Sequence, residues 1–196
     1  MKVTNIGKAL AAITLVAATH AQAEPREFKI DDEHFSVGFL VGHVGFQSQL
    51  GMFLEAGGQF VWDEDANELH SGEVVIQADS VFTNHDRRDR HVRSGDFLNA
   101  RRHPEIRFEA TAWEPADADS GILHGDLSLL GQTHPVALDV TINRRAEYPF
   151  GHEQYTVGMS ARTVIQRSQW GMTYALDGDL VGDDVQLILE FEAILQ

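Results

Sequence analysis

Apolar and polar residues alternate with a period of two along most of the chain. Ile106, Phe108, Ala110 and Ala112 are interleaved with Arg107, Glu109 and Thr111. Leu123, Leu127 and Leu129 alternate with His124, Asp126 and Ser128. Val136, Leu138, Val140 and Ile142 alternate with Asp139, Thr141 and Asn143. The same holds for Val157, Met159 and Ala161 against Thr156, Ser160 and Arg162, and for Val185, Leu187, Leu189 and Phe191 against Gln186, Glu190 and Glu192. Successive side chains of a strand point to opposite faces, so this spacing predicts antiparallel strands with one dry and one wet face. Earlier strands are predicted at 27–31, 35–42, 47–54, 57–63 and 70–79. Turn-forming clusters separate the runs, among them Gly57-Gly58, Asp63 to Asn67, Asp117 to Gly121, Gly131-Gln132, Pro149 to Gly151 and Asp177 to Asp179. Only 80–95 reads as helical, with one further helical turn expected near His43-Val44-Gly45. Many strands with few helices and no long linker or repeat predict one all-β domain, a sandwich or a barrel.

The first 23 residues read differently. Lys2 and Lys8 precede an apolar run from Ala9 to Ala18, and Ala21-Gln22-Ala23 has the small-x-small pattern of a cleavage site. A run this short does not span a hydrocarbon core of about 30 Å as a helix, so residues 1–23 are expected to be a removed secretory signal, with 24–196 as the single domain. A periplasmic or secreted location follows from that expectation. The chain carries a net charge of −15 and no cysteine. So acidic a protein is not expected to bind nucleic acid, and its stability must come from packing alone.

Charge also argues against a membrane-spanning barrel. Its outer face would have to carry Arg107, Glu109, Arg162, Glu190 and Glu192, and one arginine at the bilayer midplane costs about 2–4 kcal/mol. Catalytic signatures are sparse. G-x-S-x-G, H-E-x-x-H and the phosphate-cradling glycine loops are missing, and no residue is assigned a catalytic role. Asp63-x-Asp65-x-Asn67 opens like a calcium loop, but Glu68 stands where a glycine is required and Val74 where a glutamate is required, so a hairpin turn is the better reading. His85, Asp89 and His91 could meet on one helical face, yet the interleaved Arg87, Arg88 and Arg90 would repel a dication; no metal is assigned.

The densest chemistry lies in SVFTNHDRRDRHVRSGDFLNARRHP, residues 80–104. Seven of the chain's 15 Lys and Arg residues fall between Arg87 and Arg107. Two readings are open. The preferred one is a structural latch across one end of the domain, with the arginines paired to Asp86, Asp89, Asp96 and Glu105. The other is an anion-facing rim that meets a lipid headgroup or a membrane surface. His43, Arg88, Asp89, His91 and Arg93 are the candidate headgroup or latch residues.

Five blocks resemble the YceI-like family. They are Phe28-Lys29-Ile30-Asp31 with His34; Val41-Gly42-His43-Val44-Gly45-Phe46 with Gly51-x-Phe53; Ser80-Val81-x-Thr83-Asn84-His85 with Arg88-Asp89-x-His91-Val92-x-Ser94 and Asp96-Phe97; His103-Pro104-x-Ile106-x-Phe108; and Gly125-Asp126-Leu127 with Leu130-Gly131-x-Thr133-x-Pro135-Val136-x-Leu138. The sequence departs from the family pattern at Phe28, where tyrosine is common, at Phe46, and at Gln169-Trp170. The resemblance implies an eight-stranded antiparallel, lipocalin-like β-barrel with a helical segment beside it. It also implies a polyisoprenoid chain, quinone or polyprenyl, held inside, and no catalytic cofactor.

Eight-stranded barrels are either filled by side chains or hold one small ligand. If hollow, the expected lining from alternation is Phe39, Phe60, Ile76, Phe108, Leu127, Leu129, Val140, Met159, Leu189 and Phe191, subject to a one-residue register slip. The competing functions are a filled structural or stress-related barrel and an enzyme of unknown chemistry. Expected partners are a polyisoprenoid or other long-chain lipid, with transient membrane-surface contact and a homodimer also compatible.

Overall fold

A computed structural model describes residues 24–196. The expected signal segment, 1–23, lies outside them. Ten strands form one sheet: β1 (Arg26–His43), β2 (Gln47–Phe53), β3 (Ala56–Asp63), β4 (Glu68–Gln77), β5 (Val81–Phe82), β6 (Glu105–Pro115), β7 (Ser120–Leu129), β8 (Gln132–Glu147), β9 (Tyr155–Gln166) and β10 (Val181–Leu195). All strand pairings are antiparallel. Pairing of β10 back onto β1 closes the sheet. β2 and β3 act as one bent strand along β1, and β5 is a two-residue appendage on β2, so the closed barrel has eight strands. Ser80 secures the bend. Its Oγ accepts from the backbone N–H of Leu54 (3.2 Å) and Glu55 (3.1 Å) and donates to Gln77 O (2.7 Å). Those two N–H groups thereby keep partners where the strand turns away.

Two bulges adjust what strict alternation would do. Ile30 and Phe35 both pack into the interior although they are an odd number of residues apart. An irregularity between them absorbs the extra residue, and the expected strands 27–31 and 35–42 are one strand. A second shift between Ala110 and Ala112 turns Ala112 outward and brings Trp113 in, against the sequence expectation for Ala112.

The helix is shorter than the 80–95 expected. Residues 78–80 form a 3₁₀ turn, 81–82 are strand, and α1 runs Asp86–Val92. The expected helical turn at His43-Val44-Gly45 is a hairpin turn, with positive φ at Val44 (51°) and Gly45 (68°). One end of the barrel thus carries the β1–β2 turn, the α1 segment and the long β9–β10 connection. The other carries the short β3–β4, β6–β7 and β8–β9 turns.

Two buried clusters fill part of the interior. Phe28, Phe60, Trp62 and Val157 anchor one near the short turns; Trp170, Val81, Ile106 and Leu129 anchor the other beneath α1. Phe28 stacks on Phe60 at 5.1 Å with an interplanar angle of 11°.

Candidate functional site: an apolar cavity with a polar mouth

Between the clusters the barrel is hollow. A cavity of about 580 Å³ runs along its axis, within the range of about 300–1,000 Å³ usual for small-molecule sites. All ten residues expected on the interior face line it. Several of them, including Ile76, Phe108, Leu189 and Phe191, point inward yet stay only half-buried, because they face open space rather than neighbours.

Glycines contribute to the hollow. Phe39 lies over Gly51 on the adjoining strand, Phe108 over Gly125 and Trp113 over Gly121. A Cβ at these glycines would come within 2.2 Å, 2.2 Å and 2.6 Å of the respective rings. The rings therefore rest against the wall, as aromatic side chains do over a glycine in the neighbouring strand.

Polar lining concentrates at the helical end. His43, Gln49, Thr83, Arg88, His91, Arg167 and Tyr174 meet the cavity there. Gln59 and Glu73 reach it from the wall. The five residues expected as headgroup or latch divide into two sets. Asp89 and Arg93 hold the segment in place. Asp89 is 5% exposed, and its Oδ1 accepts from Thr83 N (2.7 Å) and Thr83 Oγ1 (2.5 Å). Arg93 donates to Val81 O at 2.8 Å. His43, Arg88 and His91 instead line the mouth. Arg88 Nε and Nη2 donate to Thr83 Oγ1 (2.8 Å) and Thr83 O (2.6 Å). His91 Nε2 lies 2.9 Å from Asp96 Oδ2, and its ring packs edge-on against Phe97 and Tyr174.

Of the expected arginine–carboxylate network, the Glu105–Arg107 pair forms at 3.1 Å on β6, but arginine–carboxylate pairs do not hold the α1 segment: Asp89 bonds to Thr83 and Asp96 to His91. Among the described residues, Arg87, Arg88, Arg90, Arg93, Arg101 and Arg102 make no ion pair. Most of these arginines are exposed, and water solvates an exposed guanidinium nearly as well as a carboxylate does. The set His85, Asp89 and His91 does not converge either, since Asp89 turns inward to Thr83 and His91 outward to Asp96.

A second latch was missed from sequence. Arg167, 2% exposed, donates Nε to Gly182 O (2.8 Å), Nη1 to Met172 O (2.7 Å), and Nη2 to Tyr174 O (3.0 Å) and Val181 O (2.8 Å). Burial pushes its pKa below the ordinary guanidinium value, and the charge of Asp183 opposes that. Asp183 in turn accepts from Ser168 N (2.8 Å) and Ser168 Oγ (2.7 Å). Trp170, 1% exposed, donates Nε1 to Leu127 O at 3.0 Å and seats this connection on β7. A signal for Arg167 existed: it continues the inward parity of Met159, Ala161 and Ile165.

On the outer wall the β1 irregularity projects Asp31 and His34 toward Glu192 on β10. Ligand-type atoms of the three come within 4.8 Å of one another. His34 Nδ1 is 2.7 Å from Asp31 Oδ2 and 3.8 Å from Glu192 Oε2, the geometry of an ion pair. The hydrogen bond to Asp31 raises the His34 pKa above 6.5. Burial works against ionisation of Asp31, but the bonds from His34 and from Glu33 N outweigh it and hold the carboxyl below 3.8. The imidazolium's contribution to stability is complete below the unfolded pKa of 6.5 and is lost as pH rises through the raised value. The carboxylate's contribution is complete above 3.8 and is lost as pH falls through the lowered value. His34→Gln should therefore depress the melting temperature more at pH 5 than at pH 8.5. An equal depression at both would show that the charged pair is not what His34 contributes.

The YceI-like domain model matches residues 28–193. The chain belongs to the YceI-like family. This YceI-like protein is 34% identical over 193 residues to a UPF0312 protein of Pseudomonas aeruginosa, covering 96% of this chain and 98% of that one. It is 33% identical to a UPF0312 protein of Pectobacterium atrosepticum, with the same coverage of each. Among solved structures, Burkholderia cenocepacia BcnA superposes with a TM-score of 0.70 at 19% identity, over 83% of this chain and 98% of that chain. A polyisoprenoid binding domain from Saccharophagus degradans superposes with a TM-score of 0.65 at 11% identity, over 86% and 98% respectively. At these identities the structural likenesses establish the barrel fold.

Proposed function

We propose that this YceI-like protein binds and carries a long isoprenoid-type lipid, a polyprenyl or quinone chain. The tail lies in the barrel and the head group sits at the mouth beside His43, Arg88 and His91. It acts in the periplasm or outside the cell, after loss of residues 1–23. The observation that carries this reading is the hollow, apolar interior: an axial cavity of about 580 Å³ whose polar groups, Gln59 and Glu73 apart, gather at one end. That polarity matches an amphiphile with one long apolar arm. Each buried methylene contributes about 0.8 kcal/mol, so a few isoprene units offset the ordering cost of binding. The likeness to a polyisoprenoid binding domain is consistent with the same cargo class. The open interior weighs against a filled structural barrel, and carriage requires no catalytic group.

The test is organic extraction of protein purified from its native host, followed by mass spectrometry. A recurring isoprenoid lipid is the expected result. Leu189→Trp, which directs an indole into the cavity from a half-buried wall position, should lower the bound lipid at least severalfold while the melting temperature changes little. Absence of any lipid, with an interior that excludes apolar dyes, would return the filled barrel to favour. Turnover abolished by His43→Ala or His91→Ala would indicate an enzyme.

A further inference from the structure

The rim of the cavity mouth carries apolar side chains that a soluble protein would ordinarily withdraw. Phe46, in the β1–β2 turn, is 90% exposed. Beside it stand exposed Val44 and Leu180, joined by a hydrogen bond from Val44 N to Leu180 O at 3.0 Å. Val44 adopts a φ of 51°, which a β-branched residue seldom does, so this tip is held in an unfavourable shape with its side chains outward. The outer face of β2 continues the surface. Leu50 lies opposite Leu40, Met52 lies opposite Phe82 of β5, and Leu50, Leu54 and Phe82 are exposed. Contiguous exposed apolar surface of this kind marks a docking face.

Charge is arranged around the same face. α1 follows β5 directly and presents exposed Arg87 and Arg90, with Arg101 and Arg102 exposed in the segment beyond. None of the four is paired to a carboxylate among the described residues. Asp177 and Asp179 sit in the β9–β10 connection, which leaves the basic character on the α1 side, where the unpaired arginines stand beside exposed Asp86 and a His91-bound Asp96. The opposite end of the barrel is acidic, with Asp65, Asp117, Asp119, Glu147 and Glu153 exposed on its turns. In a chain of net charge −15, an anionic surface would attract the mouth and repel the far end. Arginines beside exposed apolar side chains fit the headgroup and upper acyl region of a bilayer.

We infer that the mouth is a membrane-docking surface. The β1–β2 tip and the outer face of β2 insert among the headgroups of a bilayer rich in anionic phospholipid, and Arg87 and Arg90 bind its phosphates. This rests on the lipid-carrier reading, because docking sets the cavity mouth against the layer from which an apolar tail would be drawn. Val44, Leu180 and Tyr174 belong both to this rim and to the cavity lining, so the route from bilayer to barrel is continuous.

The experiment is flotation of the folded protein with vesicles of phosphatidylglycerol and phosphatidylethanolamine, and with vesicles of phosphatidylcholine alone. Binding to the anionic vesicles should weaken on raising the salt concentration and exceed that to phosphatidylcholine. Phe46→Asp and the double variant Arg87→Glu, Arg90→Glu should each weaken it about tenfold or more. Both changes are on exposed side chains, and circular dichroism melts should match the parent. No preference for anionic vesicles, or binding unchanged in both variants, overturns the inference. If Phe46→Asp instead splits a dimer in sedimentation without altering flotation, the face joins two copies and the inference also fails. Mass spectrometry of lipid in the same samples separates the two proposals: lipid-loaded protein that ignores vesicles refutes docking alone, and lipid-free protein that still floats refutes carriage alone.

Discussion

Arg167→Met should lower stability by about 3 kcal/mol, the largest loss expected from any single polar replacement in this barrel. Methionine has comparable length and would keep much of the packing. It would leave the carbonyls of Met172, Tyr174, Val181 and Gly182 without the guanidinium donors they now share. These carbonyls hold the β9–β10 connection against the end of the barrel, so the damage should spread to the mouth. Hydrogen exchange should rise over residues 171–182 while β6–β8 remain protected. Arg167→Lys retains charge but not the planar fork, and should fall between parent and methionine. A denaturation midpoint for Arg167→Met within error of the parent would mean that the connection is held by Trp170 and Asp183 instead.

Asp89→Ala should cost about 2–3 kcal/mol, measured by chemical denaturation. The carboxylate is buried and accepts from the backbone N–H and the hydroxyl of Thr83. Removing it strands a buried N–H, and unmade buried hydrogen bonds are what make such truncations expensive. Arg88 is expected to loosen as well, because Thr83 is its partner through both Oγ1 and O. Asp89→Asn keeps an acceptor and should recover part of the loss. Arg90→Ala on the same helix is exposed and should cost almost nothing. Equal effects for Asp89→Ala and Arg90→Ala would dismiss the buried acceptor as the latch.

The barrel was legible because alternation survives wherever strands stay regular. From Val136 to Ile142 and from Val185 to Phe191 each inward position followed from its neighbour two residues back. Where a bulge adds a residue, parity breaks and sequence spacing misleads: Ala112 faces out for this reason, and β1 looked like two strands. The helical segment was found but its bounds were not, since Ser80 and Val81 serve the β2–β3 bend and β5 rather than α1. Charge density misled in another way. Oppositely charged residues close in sequence suggested mutual pairing, which Glu105 and Arg107 fulfil, yet the carboxylates of Asp89 and Asp96 found a backbone N–H, a hydroxyl and an imidazole. Arg167 was passed over because an arginine satisfied only by carbonyl oxygens leaves no complementary acid to look for, although its parity pointed inward.

The glycines beneath Phe39, Phe108 and Trp113 make the bore of the barrel a property of the wall's thinnest points. Each ring lies flat because the strand beside it offers no Cβ. One methyl group added at Gly51, where the three nearest atoms all belong to the Phe39 ring, would tilt that ring toward the axis and narrow the passage with the hydrogen-bonded ladder left in register; at Gly121 and Gly125 it would also press on the backbone oxygens of Glu114 and Glu109. The calibre of the tube can thus change without any alteration of its topology, its charge or the residues at its mouth. The girth of the passage is thus set by the smallest residue in the chain rather than by the large ones that line it.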